Sequence, residues 1–266
     1  MFGKTFYHGT MRKYVIVFGN MFNGIYLQRF NQNNERIQTL KVPIAYGPKE
    51  KFLVRLAQDP NLDQDVAISL PRIGFEMTAL TYATERKLPS NQQNVVASRD
   101  DSTVYKTQYR PVPYDINFQM SVFVKHADDG TQILEQILPY FQPEWTNSIN
   151  LIPEMNLTYD VPCVLTDVSL EDTYEGSFDT RRALIWNLNF VMHGYVFGPT
   201  STSGMIRRSI ATFAHDLPDA SAAERVSVYP GLLANGSPTS DASLTVSENN
   251  IDADDNYGFV TTIDEP

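Results

Sequence analysis

Four carboxylates fall within nine residues, Glu171, Asp172, Glu175 and Asp179. Paired carboxylates at such spacing are what acid–base hydrolysis of a glycan requires. The segments on either side alternate in polarity, however, so a solvated turn between two strands accounts for the same four residues without a substrate. The histidines give no better constellation. His8, His126, His193 and His215 lie in separate segments with no paired spacing, and no metal site follows from them. His126, Asp128, Asp129 and Gly130 look like a fragment of a calcium loop, but the alternating oxygen ligands and closing glutamate are missing. Cys163 is the single cysteine, which excludes an intramolecular disulfide, and its apolar strand-like surroundings favour a buried residue over a nucleophile. The chain has no phosphate-cradling GxxxxGK(S/T), no GxGxxG after a strand, no HExxH and no GxSxG. Asn156-Leu157-Thr158 is a glycosylation sequon, which has meaning only in a secreted protein. These residues point to no enzyme and to no cofactor.

What remains for chemistry is charge. The chain of 266 residues carries a net charge of −10, which argues against a general nucleic-acid coat. Residues 1–58 hold nine Lys and Arg against two acidic residues, net +7, whereas residues 204–266 hold three basic against ten acidic, net −7. A molecule polarised in this way suits an assembly in which unlike ends meet different neighbours. Arg181-Arg182 and Arg207-Arg208 beside strands are candidate interface cations, with strand-edge charges that block aggregation as the alternative. No apolar run approaches the roughly 20 residues of a membrane helix, and no small-residue cleavage site follows Val15–Phe18, so neither anchor nor export leader is expected.

The elements that must position these charges centre on Asp128–Trp145. Ile133, Leu134, Ile137, Leu138 and Phe141 recur at helical spacing, with Glu135 and Gln136 pointing away. Asp129 and Gln132 have the form of a capping box, and Pro139 and Pro143 should stop the helix. Tyr114–Val124 before it, and Val161–Leu170 and Ala183–Phe197 after it, alternate as half-buried strands. Earlier, Thr10–Asn23 reads as a helix, and Ile25–Phe30 with Arg36–Tyr46 as a hairpin around Asn31–Asn34. Gly47-Pro48 opens a second helix, and Ile73–Met77 is a strand. Within the polar run 85–110, Val95–Ser98 and Thr103–Tyr109 are expected to pair as a projecting β-arm, and Met205–Phe213 keeps enough alternation for a further strand.

The expected fold is α+β: a twisted, mainly antiparallel sheet with a few short helices packed on it, in a core domain over 1–218, plus an extended acidic C-terminal tail over 219–266. Taken alone, Ser221–Pro266 lacks the apolar surface to offset chain entropy. Its order would then need another chain, on which Tyr257 and Phe259 dock while Asp252, Asp254 and Asp255 face basic groups. Mutual burial of Phe118, Ile137 and Trp186 is expected in the core.

Several stretches together resemble a known family. They are the opening MFG with its aromatic-rich helix, VPIAYGPKEKF at Val42–Phe52, LPRIGFEM at Leu70–Met77, QILEQILPYFQPEW at Gln132–Trp145, and RRALIWNLNFVMHG at Arg181–Gly194. Over residues 1–218 the chain resembles the tail sheath stabiliser and completion proteins of T-even-like contractile-tailed bacteriophages. ILPYFQP between alternating strands is the most specific piece. The resemblance implies a structural virion protein: a hexameric homo-oligomer at the head-proximal end of the tail, assembled in the host cytoplasm. It would cap the last sheath and tube discs and meet the sheath, tube or tube-terminator and neck proteins. It implies no cofactor, no catalysis, no membrane and no specific nucleic acid, though DNA can pass through such a ring. A tail tube terminator or baseplate subunit is the nearest alternative. A cell-envelope-degrading enzyme using the Glu171–Asp179 carboxylates is the other.

Overall fold

A computed structural model of the chain describes residues 5–30, 35–57, 70–98, 101, 103–155, 157–173, 183–213 and 224–264. The elements run α1 (Thr10–Met21), β1 (Tyr26–Phe30), β2 (Arg36–Lys41), β3 (Ile44–Tyr46), α2 (Lys49–Ala57), β4 (Arg72–Tyr82), β5 (Gln93–Ala97), β6 (Val104–Tyr109) and β7 (Val112–Val124). They continue with α3 (Ala127–Ile137), β8 (Glu144–Ile152), β9 (Leu157–Thr173), β10 (Ala183–Val196), β11 (Ser201–Gly204), β12 (Ser209–Phe213), β13 (Glu224–Gly231) and β14 (Gly258–Asp264). The α+β architecture is therefore present, and the chain divides into two compact units. One comprises Met1–Pro89 with Pro111–Phe197; the other comprises Ser90–Arg110 with Gly198–Pro266.

The first unit is built on a six-stranded sheet of order β3-β4-β7-β10-β9-β8, antiparallel except for the β3–β4 pair. The pleat sorts its faces. Phe75, Met120, Leu188 and their neighbours two residues along point one way, and α1 and α3 cover them. Phe18 of α1 lies at the centre of this layer, with ring centroids 4.3 Å from Phe118, 5.2 Å from Phe190, 5.3 Å from Phe75 and 5.1 Å from Phe22. Each such ring pair adds about 0.5–1.5 kcal/mol beyond its area burial. Tyr14, one turn earlier, donates its hydroxyl proton to the Tyr195 carbonyl (2.8 Å) and accepts from the Tyr195 amide (2.7 Å). Burial pushes its phenol pKa up. On the opposite face α2 covers only one end, where Phe52 packs with Phe123 and Ile185.

Asp129 and Gln132 do not form a capping box: the residue preceding α3 is His126, and no side chain caps the helix start. Their partners lie about a hundred residues back, on β1. Asp129 accepts from Arg29 (3.3 Å), while Gln132 and Gln136 each pair with both backbone groups of a β1 residue. The Gln28 amide donates to Gln132 Oε1 (2.7 Å), and Gln136 Nε2 donates to the Tyr26 carbonyl (2.8 Å). Side-chain amides thus satisfy an edge of the two-stranded β1–β2 sheet, and Gln136 does not point away from the protein. Residues 36–46, read as one strand, break at Pro43 into β2 and β3. α3 ends at Ile137, just before Pro139 as anticipated, but strand β8 was not expected and begins directly behind Pro143.

Phe118 and Ile137 are buried as expected, whereas Trp186 is half-buried. It faces the helix layer and lies beneath the first turn of α3, where a Cβ on Gly130 would sit 2.5 Å from the indole Nε1. That Nε1 is buried without a hydrogen-bond partner among the described residues.

The second unit holds two three-stranded sheets, β11-β6-β5 and β12-β13-β14, all antiparallel. The segments expected to pair as a β-arm are β5 and β6, with β11 added as a third strand. The extended acidic tail is corrected: residues 224–264 fold as β13 and β14 on β12, around the buried Ile251 and Val260. Apolar surface expected from another chain is supplied at these positions from within the same unit. Gly231 and Gly258 admit the loop between these strands so closely that a Cβ on either would fall 2.3 or 2.6 Å from the Thr239 carbonyl oxygen. Of the strand expected over Met205–Phe213 only Ser209–Phe213 forms, as β12, while β11 ends before it at Gly204. The division of the chain into units does not coincide with the expected boundary at 218/219.

Candidate assembly surfaces

The residues that looked most like chemistry are occupied by structure. Glu171 accepts from Lys49 and from Asn187 Nδ2 (2.7 Å), and Asn187 in turn accepts from the buried Ser121 hydroxyl (3.0 Å). This carboxylate terminates a polar chain on the sheet face beside α2. Glu175 and Asp179 lie outside the described residues, as do Asn156 and His215. Burial pushes the Cys163 thiol up to about 12, away from nucleophilic chemistry. Among the described residues, no three of His, Cys, Asp and Glu come together as metal ligands, and no helix is long and apolar enough to cross a membrane.

One three-residue cluster was not foreseen. Asp115 on β7 sits opposite His193 on β10 in the strand register, and its carboxylate lies 2.6 Å from both His193 Nδ1 and Arg86 Nη2. Burial alone would raise this carboxyl, but the hydrogen bonds with His193 and Arg86 outweigh burial and hold it below its ordinary value. Arg86 also donates to the Tyr114 carbonyl (3.2 Å) and stacks over Tyr195. The cluster ties β7, β10 and the turn at Thr84–Arg86 together.

Of the residues expected at an interface, Arg181 and Arg182 lie outside the described residues, and the other seven fall in the second unit. Arg207 donates to the carbonyls of Glu248 and Ile251 (3.1 Å to the latter), and Arg208 pairs with Glu248 (3.1 Å) while covering the Tyr229 ring. These two arginines hold the 248–251 turn. Asp255 accepts from the Asp252 amide (2.8 Å), and the Tyr257 hydroxyl lies 3.1 Å from that of Tyr105. Asp254 is exposed, and Phe259 is 67% exposed. Phe259 shares one face of the β12-β13-β14 sheet with Phe213 and Ile263, both also exposed.

A second surface lies in the first unit. Between the C-terminal end of α1 and the 138–145 segment runs a groove of about 550 Å³, walled by Phe22, Phe141, Tyr140 and Trp145 with Glu135 at its rim. A smaller hollow of about 410 Å³ shares Met21 and Trp145 with it and follows β8 past Asn147 and Ser148. Strand β8 is the last strand of its sheet, and Lys13 covers only its far end, donating to the Asn150 and Leu151 carbonyls (3.3 and 2.5 Å). The ILPYFQPEW stretch builds the wall, yet nothing in its periodicity distinguished a groove from a core contact.

Comparison with known proteins gives the setting for these surfaces. Residues 5–261 match a family described as the T4-like virus Myoviridae tail sheath stabiliser. The chain is also 32% identical over 233 residues to the tail completion protein gp15 of Enterobacteria phage T4, a similarity covering 82% of this chain and 83% of that one.

Proposed function

This chain belongs to the tail sheath stabiliser family of T4-like Myoviridae, structural proteins of the phage tail and not enzymes, and from that premise we propose that its copies close into a hexameric ring at the head-proximal end of a contractile tail. There the ring completes the tail, holds the last sheath disc in its extended state and presents a surface to the neck below the head. The carrying observation is the match to this family over nearly the whole chain. Support comes from the opposite charges of residues 1–58 and 204–266, since a closed ring is built from head-to-tail contacts in which unlike faces meet. Phe259 and Asp254 are the members of the expected interface set left open for an adjacent subunit or a neck protein. Arg207 and Arg208 act by fixing the turn beside them.

Native mass measurement tests the reading: a species six times the 30.1 kDa chain is expected, seen as a ring in electron micrographs and at the head-proximal end of labelled virions. A monomer at every concentration, or label at the distal baseplate, overturns it. Salt sharpens it. At about 1 M the Debye length is near 3 Å, so association driven by the polarised surface should weaken there.

A further inference from the structure

We propose that the ring contact is made by the segment before α1 of one copy, Thr5–Gly9, seated in the Tyr140–Trp145 groove of the next. This rests on the ring reading and names the surfaces that would meet. Phe6 and Tyr7 are 48% and 85% exposed, large apolar side chains on a non-helical segment. Gly9, at φ +65°, turns that segment off the axis of α1. The groove lies at the other end of the same helix, which at 12 residues spans about 18 Å. Aromatic projection and apolar groove therefore occupy opposite ends of one rigid element, so each copy can offer its projection to one neighbour and its groove to the other, as a head-to-tail contact requires.

Charge selects the same pairing. Residues 1–23 contain three basic residues and no acidic one, while residues 128–145 contain four acidic residues and no basic one. Arg12 is exposed beside the projecting segment, and Glu135 and Glu144 are exposed beside the groove. Strand β8, last in its sheet among the described residues, continues the groove with an edge to which an extended segment can add. A second copy of this chain thus meets the groove with aromatic side chains, complementary charge and an extended backbone together.

The test is a short thiol-to-thiol cross-linker applied to the full chain carrying Tyr7→Cys and Tyr140→Cys; Cys163 is buried and does not compete. The expected result is a ladder of two to six linked chains, absent from either single substitution. A link within one chain, or no link in a preparation whose native mass is that of the ring, overturns this contact and leaves the ring reading standing. A chain monomeric at every concentration overturns both. As a second readout, Tyr7→Ser should weaken association by about tenfold or more, as loss of an aromatic anchor does. Arg12→Glu should weaken it and be rescued in part by Glu135→Arg. Unchanged association for Tyr7→Ser overturns the proposal.

Discussion

In the first unit Phe18 lies among four other aromatic rings; in the second, the buried Ile251 and Val260 lie among loops pinned by hydrogen bonds. The first is a sheet with α1 and α3 laid over one face and α2 over one end of the other, held by apolar area. The second brings together residues 90–110 and 198–266 with small sheets, a close backbone approach at Thr239, and turns fixed by Arg207, Thr245 and Tyr105. The difference teaches that low hydrophobicity does not leave a chain unfolded when paired backbone and a few buried side chains share the work. It also predicts that substitutions of different kinds will damage the two units.

Phe18→Ala should have the largest effect, costing about 3–5 kcal/mol as a large-to-small change at a fully buried ring. Amide exchange resolved by peptide should show the loss in β7 and β10. Equal loss in β13 and β14 would break the distinction between the units. Gly258→Ala is the converse: a methyl group added 2.6 Å from a backbone oxygen cannot be relieved by a side-chain rotation, so about 1–3 kcal/mol should be lost, with faster exchange in β13 and β14. An unchanged unfolding curve would mean that the Thr239 loop yields freely and that the close approach contributes little.

The same contrast explains what could be read in the sequence. β7 and β10 were legible because a half-buried strand writes its faces as alternation: Leu184, Trp186, Leu188, Phe190 and Met192 keep one face of β10 apolar throughout, with Asn187 and Asn189 between them. Ile149 and Leu151 alternate in the same way with Ser148 and Asn150, but Pro143 drew attention as a terminator, although a proline just ahead of a strand costs no ladder bond. Asp129 and Gln132 matched a local capping pattern and were claimed by β1 instead, since a partner a hundred residues away leaves no mark in local spacing. In the second unit nothing in the local sequence marks Gly231 and Gly258, whose role in admitting Thr239 exists only once the chain has folded. The groove stayed hidden for a like reason. Tyr140 and Trp145 carried the family resemblance, but whether aromatic residues fill a core or wall a hollow depends on what packs opposite.

Tyr257→Phe tests the polar half of the comparison with a smaller change. It removes the hydroxyl facing that of Tyr105, a contact that, with burial adding to it, pushes the Tyr105 phenol up to about 12. The expected loss is about 0.5–1.5 kcal/mol, read by denaturant unfolding, because the hydroxyl of Tyr105 keeps the Ala253 carbonyl as a partner. A loss as great as that of Phe18→Ala would mean that this one contact organises the whole unit.

The smallest effect should come from Asp115, and it separates polar pinning in the first unit from apolar packing there. Its carboxyl is half-buried between His193 and Arg86 and is held below its ordinary value, so the folded state binds a proton at this site less readily than the unfolded chain does. A depressed carboxyl contributes stability that is fully present above its unfolded pKa, about 3.9, and that disappears as pH falls through the lower folded value. Wild type should therefore exceed Asp115→Asn in stability at pH 5, by about 1 kcal/mol or less for a half-buried pair that solvent still screens. Below about 4 the difference should begin to shrink, and the two curves should meet only once pH has fallen through the lower folded value, where both side chains are uncharged and the asparagine retains an oxygen for Arg86. The measurement is urea unfolding of both proteins at a series of pH values and fixed ionic strength. A difference that persists unchanged to the acid limit would show that Asp115 acts through shape and hydrogen bonding rather than charge, and would place this cluster with the packed core instead of the polar contacts that define the other unit.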